Sequence, residues 1–416
     1  MQGETIMEVL HERCAGLDIH KRTIAACVIV PGSGKQPSKQ IRMFGTMSAD
    51  LLALGDWLSE QGVTHVAMEA TGSFWHPIYN LLEDRFELLL ANARHIKAVP
   101  GRKTDVHACE WIADLLRHGL LRASFVPPRP QRELRELTRY RASLIHERTR
   151  VVQRLQKTLE AANVKLASVA TDILGKSGRD MLEALVAGTT DAQVLADLAQ
   201  GKLRAKLPEL ERALAGRFGA HQRFLVAQQL AHIDFLDETI ARLSQEIADR
   251  LQPFEDQIDR LDGIPGVGRR TAEVLLAEIG TDLSRFPSAA HLASWAGMCP
   301  GNEESAGKRL SGKTRKGNAW LRVALIEAAQ AAARKKDSYL SAQFRRLTAR
   351  RGRKKAAVAV GHTILVIAYW LLTRPDLYHD LGSTYFDEHD RTRVQRRLVH
   401  RLEALGYSVQ LKPRAA

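Results

Sequence analysis

The sequence predicts an α/β domain followed by a long helical remainder, and three observations predict it. Over residues 10–126 apolar, β-branched segments alternate with helical patterns. Pro127-Pro128-Arg129-Pro130 then breaks the chain. Beyond that break, apolar residues recur at helical rather than strand spacing.

The elements follow in order. Residues 14–30, CAGLDIHKRTIAACVIV, read as one strand-like segment interrupted at HKR and stopped by Pro31-Gly32-Ser33-Gly34. A second apolar segment, 63–68, leads into Glu69-Ala70-Thr71-Gly72, and a third, 86–90, ends at Ala91-Asn92. Helical patterns cover 49–61 and 74–83 between them. After the prolines, 131–258 is a helical, coiled-coil-like region. It holds an Arg- and Lys-studded helix over 131–165 and a second helix over 224–251. The second carries Ile233, Leu236, Ile240, Leu243 and Ile247 at spacings of 3, 4, 3 and 4, which suits a helical hairpin or a dimer seam. Residues 166–220 look helical and reveal no chemistry.

A third region, 261–372, opens with LDGIPGVGRRTAEVLLAEIG, the pattern of a helix-hairpin-helix. Gly263, Gly266 and Gly268 could let backbone amides approach a phosphate, with a helix starting near Arg269. A plain glycine-rich turn is the competing reading. Residues 356–372 are an apolar run of 17 containing His362 and Thr363, expected to be a buried helix rather than a membrane span. The tail, 373–416, has a helical Arg pattern over 390–405, and GYSVQLKP near its end reads as a short strand or a loop.

Composition narrows the function. Apolar residues are 45 % and charged residues 26 %, which argues against a mostly disordered chain. Lys and Arg number 61 against 47 Asp and Glu, a net charge of +14, which points to a polyanion such as nucleic acid. Sixteen basic and four acidic residues lie between 300 and 355, so most of the surplus sits beside the glycine-rich turns and favours phosphate contact over a merely solvated face. Lys308, Arg309, Lys313, Arg315 and Lys316 are the nucleic-acid-binding candidates there, together with Gly266, Gly268 and Arg269. The Arg-rich helix around 132–157 could be an RNA-binding face or a solvated bundle surface; Trp295 and Trp320 are expected to be core rather than base-stacking. Cys14, Cys27, Cys109 and Cys299 form no CxxC pair, so neither a zinc ribbon nor a disulfide framework is expected, and a reducing cytoplasm fits. The N-terminus lacks the apolar core of a signal peptide.

Three acids stand out. Asp18 lies between Leu17 and Ile19 inside an apolar strand, where a charge is costly unless paired or bound to metal. Glu69 ends another strand, and Asp105 opens a helix over 106–118. Each alone could be a cap or an exposed acid. Together they suit a divalent-metal phosphoryl-transfer site, since Mg²⁺ takes carboxylate oxygens and water.

GLDIHKRTIAACV, MEATGSFWHPIY and GRKTDVHACEWIADLLRHGLLRASFVPP resemble the N-terminal domain of the DEDD transposases of the insertion-sequence one-ten family, the bridge-RNA-guided recombinases. IPGVGRRTAEVLLAEIGTDLSRFPSAAHLASWAGMCPGNEESAGKRLSGKTRKGNAWLR resembles their C-terminal transposase domain. The resemblance covers about the first 125 residues and 261–372, in the same order. It implies a RuvC-like, RNase H-type N-terminal fold in which Asp18, Glu69 and Asp105 bind Mg²⁺. It also implies a serine nucleophile in a Ser-small-Gly-Lys pattern, here Ser305-Ala306-Gly307-Lys308, with Ser311-Gly312-Lys313 the second choice. By spacing alone Ser305 would be a flexible loop residue. The resemblance further implies donor and target duplex DNA as substrates, a structured guide RNA, a homo-oligomer built as a dimer of dimers, a bacterial cytoplasmic location and no membrane.

The family's motif has a fourth acid three residues after the Asp of KTD, and Ala108 stands there. Asp114 lies on the opposite helix face from Asp105, and His107 and Glu110 also point away. The chain is then either catalytically disabled or a natural variant with a weaker site. Two other functions fit parts of the pattern: a RuvC-like structure-specific nuclease, which has no use for Ser305, and an inactive nucleic-acid-binding protein.

Overall fold

The computed structural model describes residues 8–32, 36–70, 72–93, 96, 108–301, 303–375 and 377–412. The chain divides into two compact units, Met1–Arg129 and Pro130–Ala416.

The first unit is a five-stranded mixed sheet with helices on both faces. In chain order it contains β1 (Cys14–Ile19), β2 (Thr23–Val30), β3 (Ser38–Gly45), α1 (Ser48–Glu60), β4 (His65–Glu69), α2 (Trp75–Leu82), β5 (Glu87–Ala91) and α3 (Ala108–Arg117). The sheet order is β3-β2-β1-β4-β5, with β1–β2 and β2–β3 antiparallel and β1–β4 and β4–β5 parallel. The expected single segment at 14–30 is therefore two strands. His20-Lys21-Arg22 is a tight turn, closed by the His20 N–H donating to Thr23 O at 2.9 Å, so three consecutive polar residues sit in solvent instead of the sheet. β3 was not expected: SKQIRMFG is a mostly exposed edge strand whose only alternation is Ile41-Arg42-Met43.

Side-chain alternation sorts the sheet into two cores. Leu17, Ile19, Val66, Met68 and Leu90 pack under α1 and α2. Cys14, Cys27, Ile29, Ala67 and Ala91 pack under α3. Gly16 lets α3 rest directly on β1, since a Cβ there would fall 2.3 Å from Cys109 O and Ala113 N.

The second unit is almost wholly helical. It opens with α4 (Arg129–Ala161), α5 (Lys176–Ala187) and α6 (Ala220–Leu251), with short helices between. α4 and α6 run antiparallel: Arg250 reaches Glu133 at 3.0 Å near one end, and Gln229 donates to Thr158 at 3.2 Å near the other. The seam Ile233, Leu236, Ile240 and Ile247 is buried, most of it against Leu144, Val151, Leu155 and Leu159 of α4, so the heptad spacing serves packing within the chain. Besides the 3-10 turn Gln252–Phe254 and the short helix Tyr385–His389, the remaining elements are α7 (Glu255–Asp262), α8 (Arg269–Ile279), α9 (Ala289–Trp295), the hairpin β6 (Glu303–Ser305) and β7 (Lys308–Ser311), α10 (Ala319–Ala332), α11 (Tyr339–Arg351), α12 (Arg353–Thr373) and α13 (Arg391–Glu403). Residues 407–412 form no strand. α12 is long and apolar enough to cross a membrane by length and composition. Half of its apolar window is buried within the unit, including Val360, Ile364, Leu365 and Ala368, and the Tyr369 hydroxyl donates to Phe286 O at 2.9 Å.

Candidate active site

Asp18 and Glu69 end neighbouring parallel strands. Leu17 pairs with Met68 in the β1–β4 register, so each acid is one residue past that pair, at matching positions. Alternation puts both on the α3 face, opposite Leu17, Ile19 and Met68. Both are half-buried. His20 Nε2 stands 3.4 Å from Asp18 Oδ2. The first turn of α3 lies close to Asp18: burial first, then Asp18 and Glu110 as nearby negative charges, push the Cys109 thiol up. Glu110 is turned to Lys39, whose Nζ lies 2.8 Å from Oε1, so it is engaged away from the two strand ends. Ala108 is the first residue of α3 and is exposed. Asp105 lies outside the described residues, as does the start of the helix expected over 106–118.

Two carboxylates at adjacent strand ends are the kind of hard oxygen donor that Mg²⁺ takes. Among the described residues no group of three His, Cys, Asp or Glu side chains could hold an ion by itself. Asp18 and Glu69 are the two described acids that could contribute to such a site.

Ser305 sits in a β-hairpin, not in an irregular loop. It pairs with Lys308 across the two-residue turn Ala306-Gly307, and it is exposed. Both turn residues have positive φ, +49° at Ala306 and +74° at Gly307, which is what a type I′ hairpin turn requires. Directly paired residues project to the same face, so the Ser305 hydroxyl and the Lys308 side chain share one side of the tip. A register shift between Glu303 and Glu304 adds a bulge below it. Ser311 is placed differently: half-buried at the far end of β7, its hydroxyl accepts from the Lys313 N–H at 3.1 Å and caps a turn. Arg309 pairs through its backbone with Glu304. Lys313, Arg315 and Lys316 are exposed on the returning leg.

The glycine-rich turn between α7 and α8 does two jobs. Gly266, at φ +90°, faces α10 so closely that a Cβ would lie 2.3 Å from Ala328 O. Gly268 has nothing within 4 Å of its would-be Cβ and precedes α8 as its exposed N-cap. Arg269 is held by Glu255, with Nη2 to Oε2 at 3.0 Å, and by Glu273 at 3.3 Å, so its charge is largely taken up within the protein.

Three arginines of α4 have a role that the sequence did not reveal. Glu273 and Glu278 of α8 are buried, and α4 supplies their partners: Arg141 reaches Glu273 at 2.7 Å and Arg139 grips Glu278 at 2.7 and 2.8 Å. Arg135 donates to Ala277 O at 3.0 Å and to Glu278 O. Asn318 donates to Glu278 at 2.6 Å and caps α10 by accepting from the Leu321 N–H at 3.1 Å. The available signal was two acids inside the apolar stretch TAEVLLAEIG, which must be paired if buried. Trp295 packs on Phe286 with ring centroids 5.4 Å apart, while Trp320 lines a cleft of about 300 Å³ with Arg139, Arg270, Val323 and Glu327.

Residues 15–164 match a family model of IS110 DEDD type described as "Transposase", and residues 258–345 match one described as "Transposase IS116/IS110/IS902 family". Together they span more than half of the chain. A Coxiella burnetii protein named "Transposase for insertion sequence element IS1111A" is 26 % identical over 318 residues, covering 75 % of this chain and 79 % of that protein. A Pseudomonas aeruginosa protein named "Probable family 20 transposase" is 26 % identical over 318 residues, covering 75 % and 85 %. A Streptomyces coelicolor protein of insertion element IS110 is 32 % identical over 138 residues, covering 30 % and 34 %.

Proposed function

Because the chain belongs to the IS110/IS116 family of transposases, we propose that it is an RNA-guided DNA recombinase that cuts and rejoins donor and target DNA through a phosphoserine intermediate. The observation that carries this reading is Ser305: an exposed serine paired with Lys308 at the tip of a hairpin, inside the matched transposase segment.

In this reading the Ser305 Oγ gives up its proton and bonds to a DNA phosphorus. The P–O3′ bond breaks, and the 3′ oxygen takes up a proton. The phosphodiester bond energy is kept in the serine ester, so a 3′-hydroxyl can reverse the step without ATP. Lys308, Lys313, Arg315 and Lys316 hold the DNA backbone at the arm. Asp18, Glu69 and Asp105 would hold Mg²⁺, which when bound stabilises charge on the transferring phosphoryl oxygens. Sheet order β3-β2-β1-β4-β5, with acids at the ends of β1 and β4, supports the RuvC-like, RNase H-type reading. The α7–Gly-rich turn–α8 arrangement supports a helix-hairpin-helix, in which Gly268 is the amide open to a phosphate. In this reading a dimer of dimers, assembled on DNA and a guide RNA, carries out the exchange. Base pairing by the RNA then selects the DNA sequence, as in other RNA-guided systems. The net charge of +14 supports a partnership with two kinds of nucleic acid.

The test is a denaturing gel of full-length protein with its RNA, Mg²⁺ and end-labelled element DNA, in the Ala108→Asp background and with Ser305→Ala. A covalent protein–DNA band that needs Ser305 supports the reading. Cleavage with no covalent band makes the protein a metal-dependent nuclease, and binding with neither makes it an inactive nucleic-acid-binding protein.

A further inference from the structure

Residues 296–301 and 303–318 belong to an arm that leaves α9, carries the β6–β7 hairpin and returns into α10. Its two legs are drawn together at the base. A Cβ on Gly317 would lie 2.3 Å from the Gly297 nitrogen, so the two backbones touch. Pro300 and Thr314 form an isolated antiparallel bridge, and the Gly301 N–H donates to Lys313 O at 2.8 Å. Arg322 completes the closure from outside the arm. Its Nη1 donates to Gly297 O at 3.1 Å on the outgoing leg and to Thr314 Oγ1 at 2.6 Å on the returning leg. Arg322 stands in the first turn of α10 between Leu321 and Leu325, both fully buried. The helix that carries the half-buried Arg322 is thus anchored in the core, and its guanidinium grips both legs at once.

An isolated two-stranded hairpin has little stability of its own. A nucleophile at its tip is useful only if the base is fixed, because a displacement of about 1 Å at a reacting atom can cost on the order of 100-fold in rate. We infer that Arg322 is a positioning residue for strand exchange: by tying Gly297 and Thr314 to α10 it holds the arm so that Ser305 is presented at one place. This rests on the reading of Ser305 as the nucleophile.

The experiment compares full-length wild type with Arg322→Met, Arg322→Lys and Thr314→Val. Amide exchange is followed without nucleic acid. Single-turnover formation of the covalent adduct is followed over a range of element-end DNA concentrations, with guide RNA and Mg²⁺. In Arg322→Met the Gly301 amide should exchange about 10- to 100-fold faster, as expected when a charge-assisted hydrogen-bond pair closing a local unit is lost. The maximal adduct rate should fall by about 10-fold or more, while the half-saturating DNA concentration stays within about 2-fold, because positioning acts on the reacting complex and not on DNA capture. Arg322→Lys should recover part of that rate, since one ammonium can still donate to both oxygens. Thr314→Val should move both readouts the same way by less, and it leaves α10 untouched should Arg322→Met fail to fold. Unchanged Gly301 exchange in both variants overturns the proposal. So does a rate loss lying wholly in the half-saturating concentration. Ser305→Ala separates the premise: if it forms adduct like wild type, the nucleophile assignment fails and the positioning role falls with it, whatever the exchange shows.

Discussion

Arg139 and Glu278 meet as a two-pronged ion pair, Nε to Oε1 at 2.7 Å and Nη2 to Oε2 at 2.8 Å, with the glutamate side chain wholly buried between α4 and α8. The same carboxylate accepts from Asn318, the residue that starts α10 behind the serine arm. Glu278 therefore joins three helices through one buried charge. Removing it leaves Arg135 buried beside an emptied site. Glu278→Ala should destabilise the second unit by about 3 to 5 kcal/mol, the usual loss when one partner of a buried pair is deleted. Arg139→Ala, at a partly exposed position, should cost clearly less. Denaturant unfolding of the two variants checks the order; equal losses would contradict it.

Gly266 and Gly268 should separate packing from phosphate contact. Gly266→Ala drives a Cβ into the Ala328 carbonyl and should destabilise by about 3 kcal/mol, combining overpacking with a left-handed φ. Gly268→Ala meets open space and should leave thermal stability unchanged while weakening DNA binding if its amide faces a phosphate. Melting curves paired with a DNA titration read both effects.

The turn at the hairpin tip should be improvable at one residue and not at the other. Ala306 holds φ +49°, where Asn or Gly is better suited. Ala306→Asn should protect the hairpin amides from exchange by roughly 2- to 5-fold, and Gly307→Ala should expose them, a side chain at a positive φ costing about 1 kcal/mol. Faster exchange in Ala306→Asn would argue against the type I′ turn.

The carboxylates should report metal. Asp18→Asn and Glu69→Gln should each lower Mg²⁺-dependent adduct formation by more than about 100-fold while DNA binding is kept, as expected for ligands of a catalytic ion. Ala108→Asp, which restores the position of a further acid, should raise activity and lower the Mg²⁺ concentration needed for half-maximal rate. No gain with matched RNA and DNA would sink the idea that position 108 is the weak point of the site.

The thiols set an alkaline limit. Burial pushes Cys14 up to about 11 and Cys27 up to about 12, and it raises Cys109 as well. A thiol that ionises later in the folded state than in the unfolded one stabilises the fold fully below its unfolded value near 9.0 and loses that contribution as pH rises toward the folded value. Stability should therefore decline from about pH 9 upward. At pH 8 a disulfide reagent should modify the half-buried Cys299 first, with the three buried thiols reacting only on unfolding. Fast labelling of all four in native protein would refute the burial.

Much of the first unit was legible in the residues. The apolar stretches of β1, β4 and β5 declare themselves, and Asp18 and Glu69 stand out because charge in or beside such stretches needs a reason. The hairpin at His20-Lys21-Arg22 and the edge strand β3 were not legible: a turn without glycine or proline and a strand exposed on both faces lack periodic signals. Ser305 stood out only through the family resemblance, since nothing local distinguishes a hairpin tip from a loop.

What the sequence determined alone was the inventory: a strand-and-helix half, a helical half, the excess of positive charge, and the acids and the serine that could do phosphoryl chemistry. Those properties are carried by local period and composition, which every short segment displays by itself. Only the tertiary structure decided partners. It turned Arg135, Arg139 and Arg141 of α4 onto Glu273 and Glu278, assigned Gly266 to helix packing, closed the heptad seam of α6 within the chain and gave Arg322 both legs of the serine arm. These are contacts between residues far apart in the chain, and whether a charge faces water or a buried counter-charge depends on which helix arrives beside it.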